Sequence, residues 1–337
     1  DFSRTHYSYD DMPAGQTDPQ LQHFSIEPAR AEVLPTARAA LAINPKLSVM
    51  ATPWSAPGWM KTTDSLIKGT MKQEHEAAFA VYLRRTIEEF GRDGVPVHYL
   101  SIQNEPDFEP ENYPGMRLSP EQRARIIGRY VGPELKRAGL DTEILEWDHN
   151  WDKPEQPLGV LADPTAAASI SGVGWHCYGG DVSAQSKVRE THPDKDVFFT
   201  ECSGGEWSPA WTEGWSWMIR NPTIGTTRNW ARGVLLWNLA LDENYGPHLG
   251  GCGDCRGVVT IDSRTGEVTR KPDYYLLGHL SRFVRPGAWR IQSTSPAGEV
   301  EMVASDDGTS RVLLAFNAGK DTADLSVQDG GRHFRYA

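Results

Sequence analysis

Two glutamates in this sequence each end a short run of residues that favours a β-strand. Glu105 follows the run 101–104, and Glu201 follows the run 197–200. Buried parallel strands read as short apolar runs, and functional side chains gather at their carboxyl ends. If both strands belong to one barrel, the two carboxyl groups face each other across a cleft. Such a pair is suited to the hydrolysis of a glycosidic bond. The alternative is two unrelated surface glutamates.

Retaining hydrolysis of a glycoside requires two carboxyl groups in different protonation states. One is protonated and donates to the leaving oxygen, and the other is ionised and attacks the anomeric carbon from about 5–5.5 Å away. Asn104, directly before Glu105, supplies an amide that can bind a sugar hydroxyl. His176 ends another strand-like run and Tyr178 follows it, and both are candidate hydrogen-bond donors to Glu201. A structural role for His176 stays open.

The composition argues against polyanionic partners. The 337-residue chain has 34 basic and 45 acidic residues, which gives a net charge of -11. Nucleic acid and anionic membrane surfaces both demand a concentrated positive face, so we expect neither as a partner. A neutral carbohydrate fits better. The 12 Trp residues include side chains suited to stacking on sugar rings, although we expect most of them to fill the core.

The sequence shows neither a transmembrane segment of roughly 20 apolar residues nor a signal peptide. Because the chain opens at Asp1 without Met, we expect a processed or truncated start. Cys252 and Cys255 form a single C-x-x-C motif, which favours a local disulfide or two free thiols. A metal site built from His176, Cys252 and Cys255 lacks coherent ligand spacing. We therefore expect neither a metal nor an organic cofactor.

Strand-like and helical segments alternate along the first 283 residues. The predicted strands are 46–51, 97–103, 142–147, 170–176, 196–200 and 234–237, and a fragment before Tyr7 reads as the end of one more. Helices are predicted over 74–90, from Pro120 to Gly139 and from Pro164. Polar or aromatic residues end strand after strand. This distribution favours a (β/α)8 TIM barrel over an open doubly wound sheet, with the first strand missing from the amino-terminal end.

The pattern changes after about Phe283. Short strand-like runs separated by Gly, Asp and Ser turns cover 289–293, 300–304, 312–316 and 323–327. We therefore predict a TIM-barrel domain over residues 1–283, truncated at its amino-terminal end, and part of an all-β sandwich domain over 284–337.

Motifs in order along nearly the whole chain resemble glycoside hydrolase family 30, the glucosylceramidase family. They are residues 1–3, 52–61 (Thr-Pro-Trp-Ser-Ala-Pro-Gly-Trp-Met-Lys), 104–106 (Asn-Glu-Pro), 176–178 (His-Cys-Tyr), 200–203 (Thr-Glu-Cys-Ser), 237–242, 250–259 and 271–279. The resemblance implies that Glu105 is the acid/base and that Glu201 is the nucleophile. It further implies that Asp1 and Trp54 contact the outer hydroxyls of the sugar, Asn104 the 2-hydroxyl and Tyr178 the nucleophile, and that Trp237 forms the floor of the subsite.

We therefore expect a secreted, retaining glycosidase that cleaves β-glucosides and resembles a glucosylceramidase. Its partner would be a carbohydrate or a glycolipid, without membrane insertion. The family resemblance leaves endo-β-1,6-glucanase and β-xylosidase activity as alternatives. A different class of function is a catalytically impaired fragment that binds carbohydrate without turning it over.

Overall fold

The computed structural model describes residues 3–208, 211, 213–294 and 300–336. Within these ranges, six parallel strands form the central sheet in the order β1 to β6. Their bounds are β1 Met50–Ala51, β2 Tyr99–Ser101, β3 Glu143–Asn150, β4 Ile170–His176, β5 Asp196–Glu201 and β6 Ala231–Val234. Each strand pairs with its neighbour in sequence, without the reversal of strand order that marks a doubly wound sheet. The sheet is that of a TIM barrel, as predicted.

Helices connect the strands. Their bounds are α1 Glu27–Ala31, α2 Val33–Ile43, α3 Glu76–Arg92, α4 Pro120–Arg125, α5 Gly132–Ala138, α6 Glu155–Leu161, α7 Pro164–Ala167, α8 Ala184–Thr191, α9 Glu213–Met218, α10 Thr226–Arg228 and α11 Pro272–Ser281. Short 3₁₀ turns cover Gly58–Met60 and Gln73–His75, and π-helical turns cover Ile126–Val131 and Ile219–Gly225.

Local sequence signals account for the helices that lead into and out of the sheet. Ser119 caps α4, because its hydroxyl accepts a hydrogen bond from the backbone N–H of Gln122. Gly139, in the left-handed conformation at φ 68°, ends α5. The predicted apolar stripe of α3 (Phe79, Leu83, Ile87 and Phe90) is buried. These helix predictions are confirmed, with α3 shifted by two residues.

Two strand predictions are wrong. Residues 3–7, the part of the amino-terminal fragment that the structure describes, contain no strand. The last barrel strand, predicted over 234–237, runs from Ala231 to Val234 instead. Trp237 therefore lies beyond it in an irregular segment. The backbone N–H of Trp237 is instead held by the carbonyl oxygen of Cys202 at 2.8 Å. An apolar run of residues does not by itself show which of them pair in the sheet and which continue beyond the last pair.

The expectation that most tryptophans fill the core is also wrong. Four of them are buried: Trp59, Trp147, Trp151 and Trp175. Five others are substantially exposed: Trp207, Trp211, Trp217, Trp230 and Trp289.

Three smaller sheets follow the barrel strands. They contain β7 Ala240–Leu241, β8 Val259–Ile261 and β9 Val268–Arg270; β10 Trp289–Ile291, β11 Val300–Asp306 and β12 Arg311–Asn317; and β13 Leu325–Asp329 with β14 Arg332–Tyr336. Val303 and Leu314 pack with Ile224 in a small apolar cluster beside the barrel. The division of the chain near Phe283 stays a prediction. No helix in the described part of the chain is long and apolar enough to cross a membrane.

Candidate active site

Glu105 and Glu201 come together at the carboxyl ends of the strands. Glu201 is the last residue of β5, whereas Glu105 lies in the turn after β2. One oxygen of each glutamate and a ring nitrogen of His176 all lie within 4.8 Å of one another. Glu105 has φ 47° and its backbone N–H donates to the carbonyl oxygen of Asp148 at 3.1 Å. A non-glycine residue in the left-handed backbone conformation is strained, and such residues cluster at functional sites.

A buried chain of three side chains runs from Asp148 through His176 to Glu105. His176 is 1% exposed; its Nε2 lies 3.1 Å from Oδ1 of Asp148, and its Nδ1 lies 3.1 Å from Oε1 of Glu105. Burial opposes the charge on His176, but three carboxylates surround the ring and raise its pKa well above the usual value. The imidazolium form therefore donates at both nitrogens.

Asp148 is held as an acceptor. Besides the contact with His176, it accepts hydrogen bonds from the hydroxyl groups of Thr52 at 2.8 Å and Thr200 at 2.6 Å. The contact with His176, followed by these two hydroxyl donors, keeps the pKa of Asp148 below its usual value although the side chain is buried. Asp148 therefore fixes the proton on Nε2 of His176 and leaves Nδ1 to face Glu105.

Glu201 has a different environment from Glu105. The Tyr178 hydroxyl donates to Oε1 of Glu201 at 2.9 Å. Burial, reinforced by the charge on Glu105, raises the pKa of Glu201 to about 7. His176 holds the pKa of Glu105 below its usual value despite burial. The pKa values of the two carboxyl groups are therefore pulled apart, with Glu201 the higher, which is the reverse of the order expected for a protonated Glu105 and an ionised Glu201. The proton beside Glu105 is instead held by His176, whose pKa is raised.

Aromatic side chains border the carboxyl pair. The rings of Trp54 and Trp237 stack, with centroids 5.0 Å apart, and Tyr113 lies 5.4 Å from Trp54. Oδ1 of Asn104 is buried and makes no hydrogen bond within the described residues, although it sits beside Glu105. The site thus offers aromatic faces and an unpaired hydrogen-bond acceptor for a polyhydroxylated ligand.

The structure places most of the predicted site residues in one region. Tyr178 donates to Glu201 as predicted, and Trp54, Asn104 and Trp237 lie at the same end of the barrel. The prediction that His176 also donates to Glu201 is wrong, because its Nδ1 bonds Glu105 at 3.1 Å and lies 3.9 Å from Glu201. Asp1 lies outside the described residues.

Sequence reasoning missed Asp148 and Tyr113. Asp148 directly follows the predicted strand 142–147, so the strand-end rule that selected the glutamates could have found it. Tyr113 lies in an irregular loop and has no comparable signal.

All four cysteines are paired. Disulfides join Cys177 to Cys202 and Cys252 to Cys255. The hypothetical metal site of His176, Cys252 and Cys255 is therefore wrong, because bridged sulfur atoms do not supply thiolate ligands.

Glu105, His176 and Glu201 are a set that could offer ligand atoms to a cation. Both ring nitrogens of His176 already face carboxylate oxygens at 3.1 Å, so coordination through the ring would break one of these contacts. The donor set therefore fits hydrogen bonding better than metal binding.

A family model described as the glycosyl hydrolase family 30 TIM-barrel domain matches residues 1–284. The chain is 35% identical to the endo-1,6-β-D-glucanase BGN16.3 of Trichoderma harzianum, over 96% of this chain and 69% of that protein. It is 30% identical to the putative glucosylceramidase 2 of Caenorhabditis elegans, over 98% of this chain and 67% of that protein. A solved endo-β1,6-glucanase superposes with a TM-score of 0.91 at 29% identity, over 100% of this chain and 77% of the other.

Proposed function

The chain belongs to glycosyl hydrolase family 30, and on that basis we propose that it cleaves β-glucosidic bonds with retention of configuration. Glu201 is the nucleophile in this proposal and Glu105 is the acid/base. The observation that carries the proposal is the approach of their oxygen atoms to within 4.8 Å. Retention goes with a separation of about 5–5.5 Å between the carboxyl groups, whereas inversion needs about 6.5–9.5 Å to admit a water molecule.

The first half of the reaction uses a proton held by His176. Glu201 attacks the anomeric carbon while the proton passes from Nδ1 of His176 to Oε1 of Glu105 and on to the leaving oxygen. The 3.1 Å contact between Nδ1 and Oε1 supports this transfer. Asp148 keeps the opposite nitrogen protonated throughout, so only the proton facing Glu105 moves.

The second half restores the site. Once Glu201 is esterified, its negative charge is gone, so the Glu105–His176 pair, which has given its proton to the leaving group, stays deprotonated and can act as a base. The pair then takes a proton from water, and the resulting hydroxide equivalent displaces Glu201 from the sugar. The Tyr178 hydroxyl, 2.9 Å from Glu201, stabilises the departing carboxylate.

The Trp54 and Trp237 rings and the Asn104 amide form the sugar-binding surface in this proposal. The stacked rings offer apolar faces, and Oδ1 of Asn104 accepts from a sugar hydroxyl next to the acid. The proposal also includes a contact between Asp1 and the outer hydroxyls of the sugar, although Asp1 lies outside the described residues.

The proposed substrate is a β-1,6-glucan. The relatives named endo-1,6-β-D-glucanase reach 35% identity, whereas a relative named putative glucosylceramidase reaches 30%. This difference in identity favours a glucan over the glucosylceramidase-like substrate that the sequence suggested, so glucosylceramide is the second candidate.

A substrate panel tests this assignment. We expect the purified protein to release short oligosaccharides from a linear β-1,6-glucan and to act more slowly on glucosylceramide in detergent micelles. Product lengths, read by chromatography, separate internal cleavage from release of single glucose units. Faster turnover of the glycolipid would overturn the glucan assignment, and binding of glucan without turnover would favour the impaired carbohydrate-binding fragment.

We also propose that the protein is exported. Both of its disulfides favour an oxidising compartment, because reducing systems keep cytosolic thiols free.

Replacing Asp148 with asparagine should shift the pH dependence of kcat/KM. The charge of Asp148 raises the pKa values of His176, Glu105 and Glu201. Its removal lowers all three, so both limbs of the bell-shaped profile move to lower pH. We expect kcat to fall by about 10²-fold as well, because the orientation of His176 is lost.

The matched control is Asp152→Asn, which removes an exposed carboxylate four residues away. This variant should keep both the rate and the profile. An unshifted profile in Asp148→Asn would contradict the proposed role of Asp148 in setting the proton on His176.

A further inference from the structure

The Cys177–Cys202 disulfide lies directly beside the reacting groups. Cys177 separates His176 from Tyr178 in the sequence, and Cys202 follows Glu201. The bond therefore joins the ends of β4 and β5 at the point where three site residues leave the sheet. The Cα atoms of the two cysteines are 5.4 Å apart.

The ladder between β4 and β5 is irregular at this point. Trp175 pairs with Phe199, but the next residue, His176, pairs with Glu201, so the ladder skips Thr200. Such a bulge leaves one residue unpaired and interrupts the regular hydrogen bonding between strands. The disulfide joins the next residue on each strand, directly beyond His176 and Glu201, which are the last pair of the ladder.

Two further contacts depend on the positions of these cysteines. The side chain of Tyr178, next to Cys177, reaches across to Glu201, next to Cys202. The carbonyl oxygen of Cys202 accepts the hydrogen bond from the backbone N–H of Trp237. A relative shift of β4 and β5 therefore moves Tyr178, Glu201 and Trp237 together.

The disulfide is enclosed. Cys202 is 0% exposed and Cys177 is 8% exposed, and Sγ of Cys202 packs 3.6 Å from Sδ of Met218 in α9. The bond is therefore part of the packed support beneath the site.

We propose that Cys177 and Cys202 are positioning residues for the hydrolysis reaction, holding the Tyr178 hydroxyl on the Glu201 carboxylate through their disulfide. This role rests on the proposed function of Glu201. It predicts that loss of the bond weakens the hydrogen bond between Tyr178 and Glu201 while the fold persists. The positively polarised O–H favours the ionised carboxylate, so its loss raises the pKa of Glu201.

The test compares wild-type protein with the double variant Cys177→Ala and Cys202→Ala. We expect kcat on an aryl β-glucoside to fall at least tenfold with little change in KM, because a misplacement of about 1 Å costs about 10²-fold. The acidic limb of the pH profile should move to higher pH. A second double variant, Cys177→Ser with Cys202→Val, refills the space of the sulfur atoms. It provides the same test if the double alanine variant does not fold.

The control is Cys252→Ala with Cys255→Ala, which removes the other disulfide. All rates are expressed per mole of folded protein, with the folded fraction taken from thermal unfolding curves. The control should keep the wild-type kcat and the wild-type acidic limb of the pH profile. A kcat within twofold of wild type and an unmoved acidic limb in the first two pairs would overturn the positioning role.

Amide hydrogen exchange gives a second, substrate-independent readout. The proposal predicts faster exchange in segments 176–179 and 201–203 of the variants that lack Cys177–Cys202, and unchanged exchange in the control. Unchanged exchange in these segments would overturn it. If the wild-type protein hydrolyses no β-glucoside, the proposed function fails, and the exchange result alone decides whether the disulfide positions the strand ends.

Discussion

Replacing Glu201 with glutamine should reduce turnover of an aryl β-glucoside by about 10⁴-fold or more, because the neutral amide cannot form the glycosyl-enzyme bond. The side chain keeps its size, and its amide oxygen can still accept the hydrogen bond from Tyr178. The variant should therefore fold normally. Steady-state kinetics with enzyme from which wild-type contamination has been excluded provides the measurement.

Glu206→Gln is the matched control, since it makes the same change at an exposed position five residues away. It should keep the wild-type rate. The smaller variant Glu201→Ala offers a positive test, because azide can enter the vacated space and attack the anomeric carbon. We expect azide to restore activity and to give the α-glucosyl azide. Undiminished hydrolysis by Glu201→Gln would remove Glu201 from the mechanism.

Replacing Glu105 with glutamine should produce a loss that depends on the leaving group. A poor leaving group, such as a sugar or an alkyl alcohol, needs the proton, so we expect kcat/KM to fall by about 10²–10⁴-fold. A dinitrophenyl glucoside leaves without protonation and should retain most of its rate of glycosylation. The alkaline limb of the pH profile should disappear, because without the Glu105 carboxylate the proton held by His176 has no path to the leaving oxygen.

Glu111→Gln serves as the control for Glu105, because the Glu111 side chain is 83% exposed. It should leave the leaving-group dependence unchanged. An equal loss with good and poor leaving groups in Glu105→Gln would mean that Glu105 does not act as the acid.

The barrel and its two glutamates were predictable because they follow from local patterns. Alternating apolar runs and amphipathic helices predict parallel strands, and the carboxyl ends of such strands converge at one edge. Glu201 illustrates the success, since it ends β5 as expected. Glu105 was placed correctly only in general terms, because its left-handed backbone depends on a tertiary hydrogen bond to Asp148.

The supporting residues were harder to predict because their roles arise from contacts between distant segments. Asp148 acquires its role from Thr52, His176 and Thr200, which come from three other segments of the chain. Tyr113 reaches Trp54 from an irregular loop. Trp237 was predicted to end a strand but lies beyond β6, because the ladder between β5 and β6 ends at Val234.

The disulfide beside the site shows the same dependence on tertiary structure. Four cysteines allow three pairings, and sequence alone does not select among them. Only the neighbouring ends of β4 and β5 bring Cys177 and Cys202 together across 25 residues of sequence.

The central claim, that Glu201 forms a covalent bond with the sugar, is tested most directly by trapping. A 2-deoxy-2-fluoro-β-glucoside with an activated leaving group slows release of the intermediate, so the labelled peptide can be identified by mass spectrometry. We predict one sugar residue attached to Glu201 and none attached to Glu105. A label on another side chain, or initial release of the α-anomer of the product from the normal substrate, would contradict the proposed mechanism.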